Sequence, residues 1–188
     1  MTKVLINAGH APGGYPDPGA LGPNGLKESN VTAAVAAIVV EYLTAAGCEA
    51  ISYQSDSLQE ICDTANNWPA DLVVSIHCNS FSEKSTGMEI FTSRGQTQAD
   101  NLASLIMAQM AGDFPQLPVR SDWSDGDIDK EAGLYVLNGT DAPAVLVELA
   151  FISNPAEEAI LACDSGQRMF AAAIARGVTD YDRLQKEG

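Results

Sequence analysis

The chain has 188 residues, 46% hydrophobic and 19% charged, the composition of an ordinary globular domain with one full core and no room for a second. Its 10 basic residues against 25 acidic ones give a net charge of −15. That excludes the basic stripe a nucleic-acid partner needs and electrostatic docking on anionic membranes or anionic wall polymers.

In chain order, a strand at about 3–9 ends at Gly9-His10 and enters a Gly/Pro-rich loop, 11–25, that closes on the turn signal Asn24-Gly25. Residues 28–46 predict a helix, with Val31, Val35, Ile38, Val39, Tyr42 and Leu43 at helical spacing and Gly47 as the stop. A short strand follows at 49–54. Ser57 and Glu60 predict a capping box for a helix that gathers Leu58, Ile61, Cys62 and Ala65 and ends near Trp68-Pro69. The near-continuously apolar run 71–77, ending at His77, predicts a strand covered on both faces. A strand at 88–92 precedes a helix near 97–112, with Leu102, Leu105, Ile106 and Met110 inward. The acidic stretch 113–132 has no clear period and reads as an ordered surface loop near the site. Residues 134–137 and 144–149 read as two more strands. Asp164, with Gln167 three residues on, reads as the cap of a final helix that buries Phe170, Ile174 and Val178. Alternating strands and helices imply an α/β layered domain with a mostly parallel sheet.

Four cysteines, Cys48, Cys62, Cys78 and Cys163, share no Cys-x-x-Cys spacing and read as buried free thiols. The N-terminus enters a strand at once, so no signal peptide is expected, and no apolar run approaches the roughly 18 residues that span a bilayer.

Only two histidines occur, His10 and His77, and each ends an apolar, strand-like run. In open α/β sheets chemistry collects at the carboxyl ends of strands, and neutral imidazole is the commonest metal ligand. A catalytic zinc site keeps three protein ligands and one open position. With no cysteine cluster, the third ligand is expected to be a carboxylate, and Glu28, just after the loop that starts at His10, is the best candidate. Glu28 also fits a plainer role as a partner of the helix N-terminus. Strand alternation turns Cys78 away from the face of His77, so it is not expected to be a ligand. Glu148 interrupts the apolar run Ala144–Leu149, where an unpaired carboxylate is expensive to bury. Such acids are metal-bound, paired or kept for proton transfer. With Glu28 as ligand, Glu148 is free to act as the base.

Three segments together resemble the zinc-dependent N-acetylmuramoyl-L-alanine amidases of the amidase-3 type. They are Gly9-His10 with Asp17-Pro18-Gly19-Ala20 and Gly25-Leu26-Lys27-Glu28, then Ser75-Ile76-His77-Cys78-Asn79, then Ala142-Pro143 through Glu148 to Asn154-Pro155. The resemblance covers about residues 3–180. It implies one Zn²⁺ per chain held by His10, Glu28 and His77, Glu148 as the catalytic carboxylate, and a central sheet of about six strands flanked by helices on both faces. It implies hydrolysis of the amide between the lactyl group of N-acetylmuramic acid and L-alanine in peptidoglycan, with Asn79 as a substrate contact. The alternatives are a zinc peptidase acting on the stem peptide and a non-catalytic zinc- or wall-binding module. Two departures bear on substrate detail: the loop after His10 is longer than the family's usual turn, and Cys78 replaces a small residue. Strand 88–92 leaves no room before the next helix for the blocking helix that some relatives insert, so no activator protein is expected. The chain reads as a single catalytic domain over 1–188 without a wall-binding domain. It fits an endolysin made in the cytoplasm of a phage host, or an autolysin domain trimmed from a larger secreted bacterial enzyme.

Overall fold

The structure, a computed structural model, describes residues 1–124 and 126–187. Six strands form one sheet: β1 (Lys3–Ala8), β2 (Glu49–Gln54), β3 (Leu72–Asn79), β4 (Glu89–Thr92), β5 (Lys130–Glu131) and β6 (Ala144–Phe151). Their order is β2-β1-β3-β6-β4-β5. Every pairing is parallel except that of β4 with β6, so the sheet is mostly parallel, as expected. The helices are α1 (Glu28–Ala45), α2 (Leu58–Asn67), α3 (Gln98–Asp113), α4 (Tyr135–Gly139), α5 (Pro155–Ala162) and α6 (Asp164–Glu187).

Alternation along the strands sorts side chains into two faces. Val4, Ile6 and Ala8 of β1, Val74, Ile76 and Cys78 of β3, and Val145, Val147 and Leu149 of β6 join α1, α3 and α6 in the larger core. The opposite face carries a smaller cluster, in which Leu5, Val73, Ala144 and Leu146 meet Ile61 and Ala65 of α2 and Val136 and Leu137 of α4. On that second face the residues nearest the carboxyl ends turn polar: Asn7 and Ser75, then His77 and Glu148. Ser75 Oγ donates to Asn7 Oδ1 at 2.6 Å, so the buried transition from apolar to polar is hydrogen-bonded.

Several local expectations need correction. Leu134–Leu137 is no strand: Leu134 caps α4, one short helix whose Val136 and Leu137 cover the sheet. Four successive apolar residues suit either element when both are buried. The sixth strand is instead the two-residue β5, inside the stretch read as loop. Helix α5 is additional, with Asn154 as N-cap accepting from Ala156 N at 2.9 Å and Pro155 at the first position. Asp164 is the first residue of α6 and accepts from Arg168 Nε, an i,i+4 pair. Only half of the Ser57 capping box forms: Ser57 Oγ accepts from Glu60 N, while Glu60 reaches back to Ser55 Oγ. A full capping box occurs instead at Thr97 and Asp100 of α3. All four cysteines are free, but Cys163 is exposed.

Candidate metal centre

His10 and His77 reach the same place from neighbouring strands. His77 lies within β3, and His10 stands two residues past β1, where Gly9 N still donates to Ile76 O at 3.0 Å. At that crossing only glycine fits at position 9, because a Cβ there would lie 2.4 Å from the His77 ring. His10 adopts a left-handed backbone, φ 69°, which costs a non-glycine residue roughly 1–2 kcal/mol and turns its ring back toward β3. The two rings meet edge to face with centroids 5.1 Å apart.

The chain then loops out and returns through an antiparallel bridge, Leu21 with Lys27, which sets Glu28 at the start of α1. Glu28 stands between the imidazoles. Its Oε2 is 3.0 Å from His10 Nε2 and its Oε1 is 3.0 Å from His77 Nδ1. Ala20 N donates to Oε2 at 2.8 Å and Cys78 N to Oε1 at 2.9 Å. Asp17 accepts from His10 Nδ1 at 2.7 Å, fixing the tautomer that presents Nε2, as a carboxylate behind a metal-bound histidine does. The ligand atoms of His10, Glu28 and His77 all lie within 4.8 Å of one another, the one such group among the described residues. Cys78 packs in the larger core on the other face, and burial holds its thiol well above its ordinary range.

The electrostatics are those of a site built around positive charge. Burial opposes ionisation of Glu28, yet hydrogen bonds from His10 and His77 hold its carboxyl well below the usual range. Burial likewise opposes charging of His10, but Glu28 and Asp17 outweigh it and raise its pKa to about 9.

Glu148 sits beside His77 in register on the same face. Its Oε2 is sealed from solvent and has no hydrogen-bond partner among the described residues. Burial first, then the charges of Glu28 and Glu89, push its pKa to about 8. Glu89 was not anticipated. It pairs directly with Glu148 across β4 and β6, is buried, and binds Arg120 Nε and, at 3.3 Å, Lys130 Nζ. Both cations come from the 113–132 stretch, which therefore lies near the site, as expected. The available signal was the same one that exposed Glu148, an acid interrupting an apolar strand. Asn79 ends β3, and its Oδ1 accepts from Ser80 N at 2.9 Å.

A cleft of about 330 Å³ adjoins the cluster, with both histidines in its lining. Ser55, Asp56 and Leu58 form one side, and Leu134, Tyr135 and Val136 another. Tyr135 OH donates to Gln59 of α2, tying the two sides together.

An open α/β sheet with a His–Glu–His cluster at its strand ends and a spare carboxylate beside it defines a class, the hydrolase domain with a candidate metal centre. The chain belongs to the amidase-3 family, N-acetylmuramoyl-L-alanine amidase, whose sequence profile matches residues 4–180. It is 34% identical over 185 residues to the uncharacterized protein YqiI of Bacillus subtilis, covering 95% of this chain and 84% of that one. To the N-acetylmuramoyl-L-alanine amidase AmiA of Escherichia coli it is 30% identical, covering 95% and 75%. That match runs over 220 residues, more than this whole chain, so AmiA carries residues inside the matched stretch that are absent here. The catalytic domain of the amidase CwlV of Bacillus (Paenibacillus) polymyxa has the same fold, with a TM-score of 0.85 at 30% identity, covering 97% of this chain and 99% of that one. The chain is thus an N-acetylmuramoyl-L-alanine amidase and acts on peptidoglycan. Among the described residues no helix is long and apolar enough to cross a membrane.

Proposed function

We propose that this chain is a one-zinc amidase catalytic domain in which His10, Glu28 and His77 hold the metal and Glu148 moves the proton. The observation that carries the reading is the convergence of two imidazoles and one carboxylate within 4.8 Å, beside a half-buried acid whose sealed Oε2 has no hydrogen-bond partner among the described residues. The donor set fits the ion: two nitrogens and one oxygen leave a fourth position open for water or substrate. Zinc, when bound, would supply Lewis-acid polarisation of the amide carbonyl and lower the pKa of a bound water toward about 7.

The chain's own groups do the rest. His10 is held in one tautomer by Asp17, and Glu28 is fixed by two backbone N–H groups, so the ligands are positioned before metal arrives. Glu148 takes the proton of the attacking water and passes it to the nitrogen of L-alanine as the carbon–nitrogen bond breaks, a role worth about 10²–10⁴-fold. Its pKa near 8 belongs to the metal-free chain, where burial and the charges of Glu28 and Glu89 outweigh the opposing charge of His10. Asn79, through its amide nitrogen, contacts the substrate beside the ligand His77. Both imidazoles keep 22% of their side-chain surface exposed, and the extra residues of AmiA are absent, which supports action without an activator protein.

The test is digestion of purified peptidoglycan by the zinc-loaded chain alone, with end-group analysis. New amino-terminal L-alanine is the expected product. Other new termini would mean a stem-peptide peptidase, and no new termini a binding module or an enzyme that needs a partner.

A further inference from the structure

His77, Glu148 and Glu89 form one row across three neighbouring strands. Glu148 is in register with His77 on β3 and with Glu89 on β4, so the three side chains leave the same face of the sheet. Neighbouring strands lie about 4.8 Å apart, which puts Glu89 roughly 10 Å from His77, on the far side of Glu148. Because β4 runs antiparallel to β6, its first residue, Glu89, stands at the same end of the sheet as the histidines.

Two cations meet at Glu89. Arg120 Nε binds its Oε1, and Lys130 Nζ lies 3.3 Å from the same oxygen. One carboxylate is neutralised by one cation, so a positive charge is left over. Arg120 is the more open of the two, with 46% of its side chain exposed against 28% for Lys130. Its guanidinium lies over the ring of Phe151, 5.2 Å from the centroid, and Phe151 ends β6 three residues past Glu148. The ring face and the bond to Glu89 together fix the plane of the guanidinium. Among the described residues Nε is the one atom of the fork with a hydrogen-bond partner, which leaves its Nη edge for a ligand.

The direction of the leaving peptide follows from the proton transfer. Glu148 hands its proton to the nitrogen of L-alanine, so the stem peptide begins beside Glu148. An extended peptide advances about 3.3–3.6 Å per residue. Continued along the row, the residue after L-alanine comes level with Glu89 and Arg120. An acidic group there would be repelled by a chain of net charge −15 unless a local cation received it. An arginine fork binds a carboxylate through two parallel N–H donors.

We propose that Arg120 is a specificity residue whose free Nη edge binds a carboxylate on the stem-peptide residue that follows L-alanine. The inference rests on the amidase reading of the centre, with Glu148 as proton carrier. Glu89 is then a positioning residue, holding the guanidinium by Nε above Phe151.

The test compares two soluble substrates: N-acetylmuramoyl-L-alanyl-γ-D-glutamyl-L-lysine, and the same molecule with the free carboxylate of its D-glutamyl residue converted to a carboxamide. The zinc-loaded chain should cleave the acid form with a kcat/KM at least about tenfold higher, the strength of one hydrogen bond to a charged group, and the difference should lie in KM. Arg120→Gln should remove the preference, because the acid form loses more than the carboxamide form. An Arg120 that only held Glu89 in place would, when replaced, slow both forms alike. Arg120→Lys keeps a cation on Glu89 should Arg120→Gln fold poorly, and it should still lose most of the preference because lysine has no fork. Lys130→Gln removes the other cation and should keep the preference. Calorimetry with the two stem peptides lacking the muramoyl group reads the same contact without turnover. Hydrolysis of neither substrate, with calorimetry still separating the two peptides, would sink the amidase reading and leave the Arg120 contact standing. Equal behaviour of the acid and carboxamide forms with the wild-type chain, or a preference that survives in both Arg120 variants, would overturn the proposal.

Discussion

Replacing Glu148 by glutamine should make the metal-free protein more stable and the zinc-loaded protein nearly inactive. The stability part follows from the burial of this carboxyl. Its pKa rises from an ordinary 4.5 to about 8, so the folded state binds a proton that the unfolded state releases between those values. The sign follows: stability is fully present below pH 4.5 and is lost as pH rises through 8. At pH 7 the folded carboxyl is mostly protonated, and taking up that proton on folding costs about 3 kcal/mol, at about 1.4 kcal/mol per tenfold in proton affinity. Glutamine needs no proton but buries an amide with incomplete hydrogen bonding, which returns about 1 kcal/mol. The net gain of about 2 kcal/mol corresponds to roughly 4–8 °C in Tm for a chain of this size. Paired melting curves of wild type and Glu148→Gln, both stripped of metal, at pH 4.5, 6, 7 and 8 are the assay. The gap should widen with pH. In parallel, turnover of the zinc-loaded variant should fall by about 10²–10⁴-fold with zinc retained. A gap that stays flat across pH would refute the burial reasoning, and loss of zinc would make Glu148 a ligand.

Two other perturbations probe how the cluster is held. At Gly19→Ala the new Cβ would meet His10 Cδ2 at 2.5 Å and Glu28 Oε2 at 2.6 Å on a backbone with φ 67°. Zinc affinity, read by chelator competition, should drop about 10–100-fold, and unchanged affinity would show that the ligands tolerate displacement. Glu158, buried, accepts from Asn24 N, Asn24 Nδ2 and Leu26 N and so fastens the turn that leads to Glu28. Glu158→Ala should destabilise the fold by about 2–5 kcal/mol, measured by urea unfolding. A loss under about 1 kcal/mol would mean the turn is held otherwise.

The candidate site was more legible in sequence than parts of the fold. His10 and His77 stand out because apolar strands rarely end on the only two histidines of a chain, and Glu148 because a carboxylate has no business in an apolar strand unless something uses it. The return of Glu28 to His10 was readable only as loop length; the bridge between Leu21 and Lys27 that accomplishes it was not. The run Leu134–Leu137 misled because four apolar residues carry no period, and its burial as α4 is decided by the face of α2 it packs against. Helix α5 went unassigned although Asn154-Pro155 is a good helix start, because it is short and its two buried acids, Glu157 and Glu158, mask the pattern of an inward face. Glu89 and its two cations depend on the antiparallel placement of β4, a pairing no local pattern announces.

The sorting of side chains onto two sheet faces has a consequence for the order of assembly. The larger core, with α1, α3 and α6, contains neither histidine nor Glu148, so its cooperative folding does not wait on the metal. A small zinc finger is a disordered chain until the ion arrives; here the ion meets a finished receptacle. On the proposed one-zinc reading, zinc supply would govern how many molecules are switched on rather than how many survive synthesis, and a population made without metal would remain a stock of folded chains.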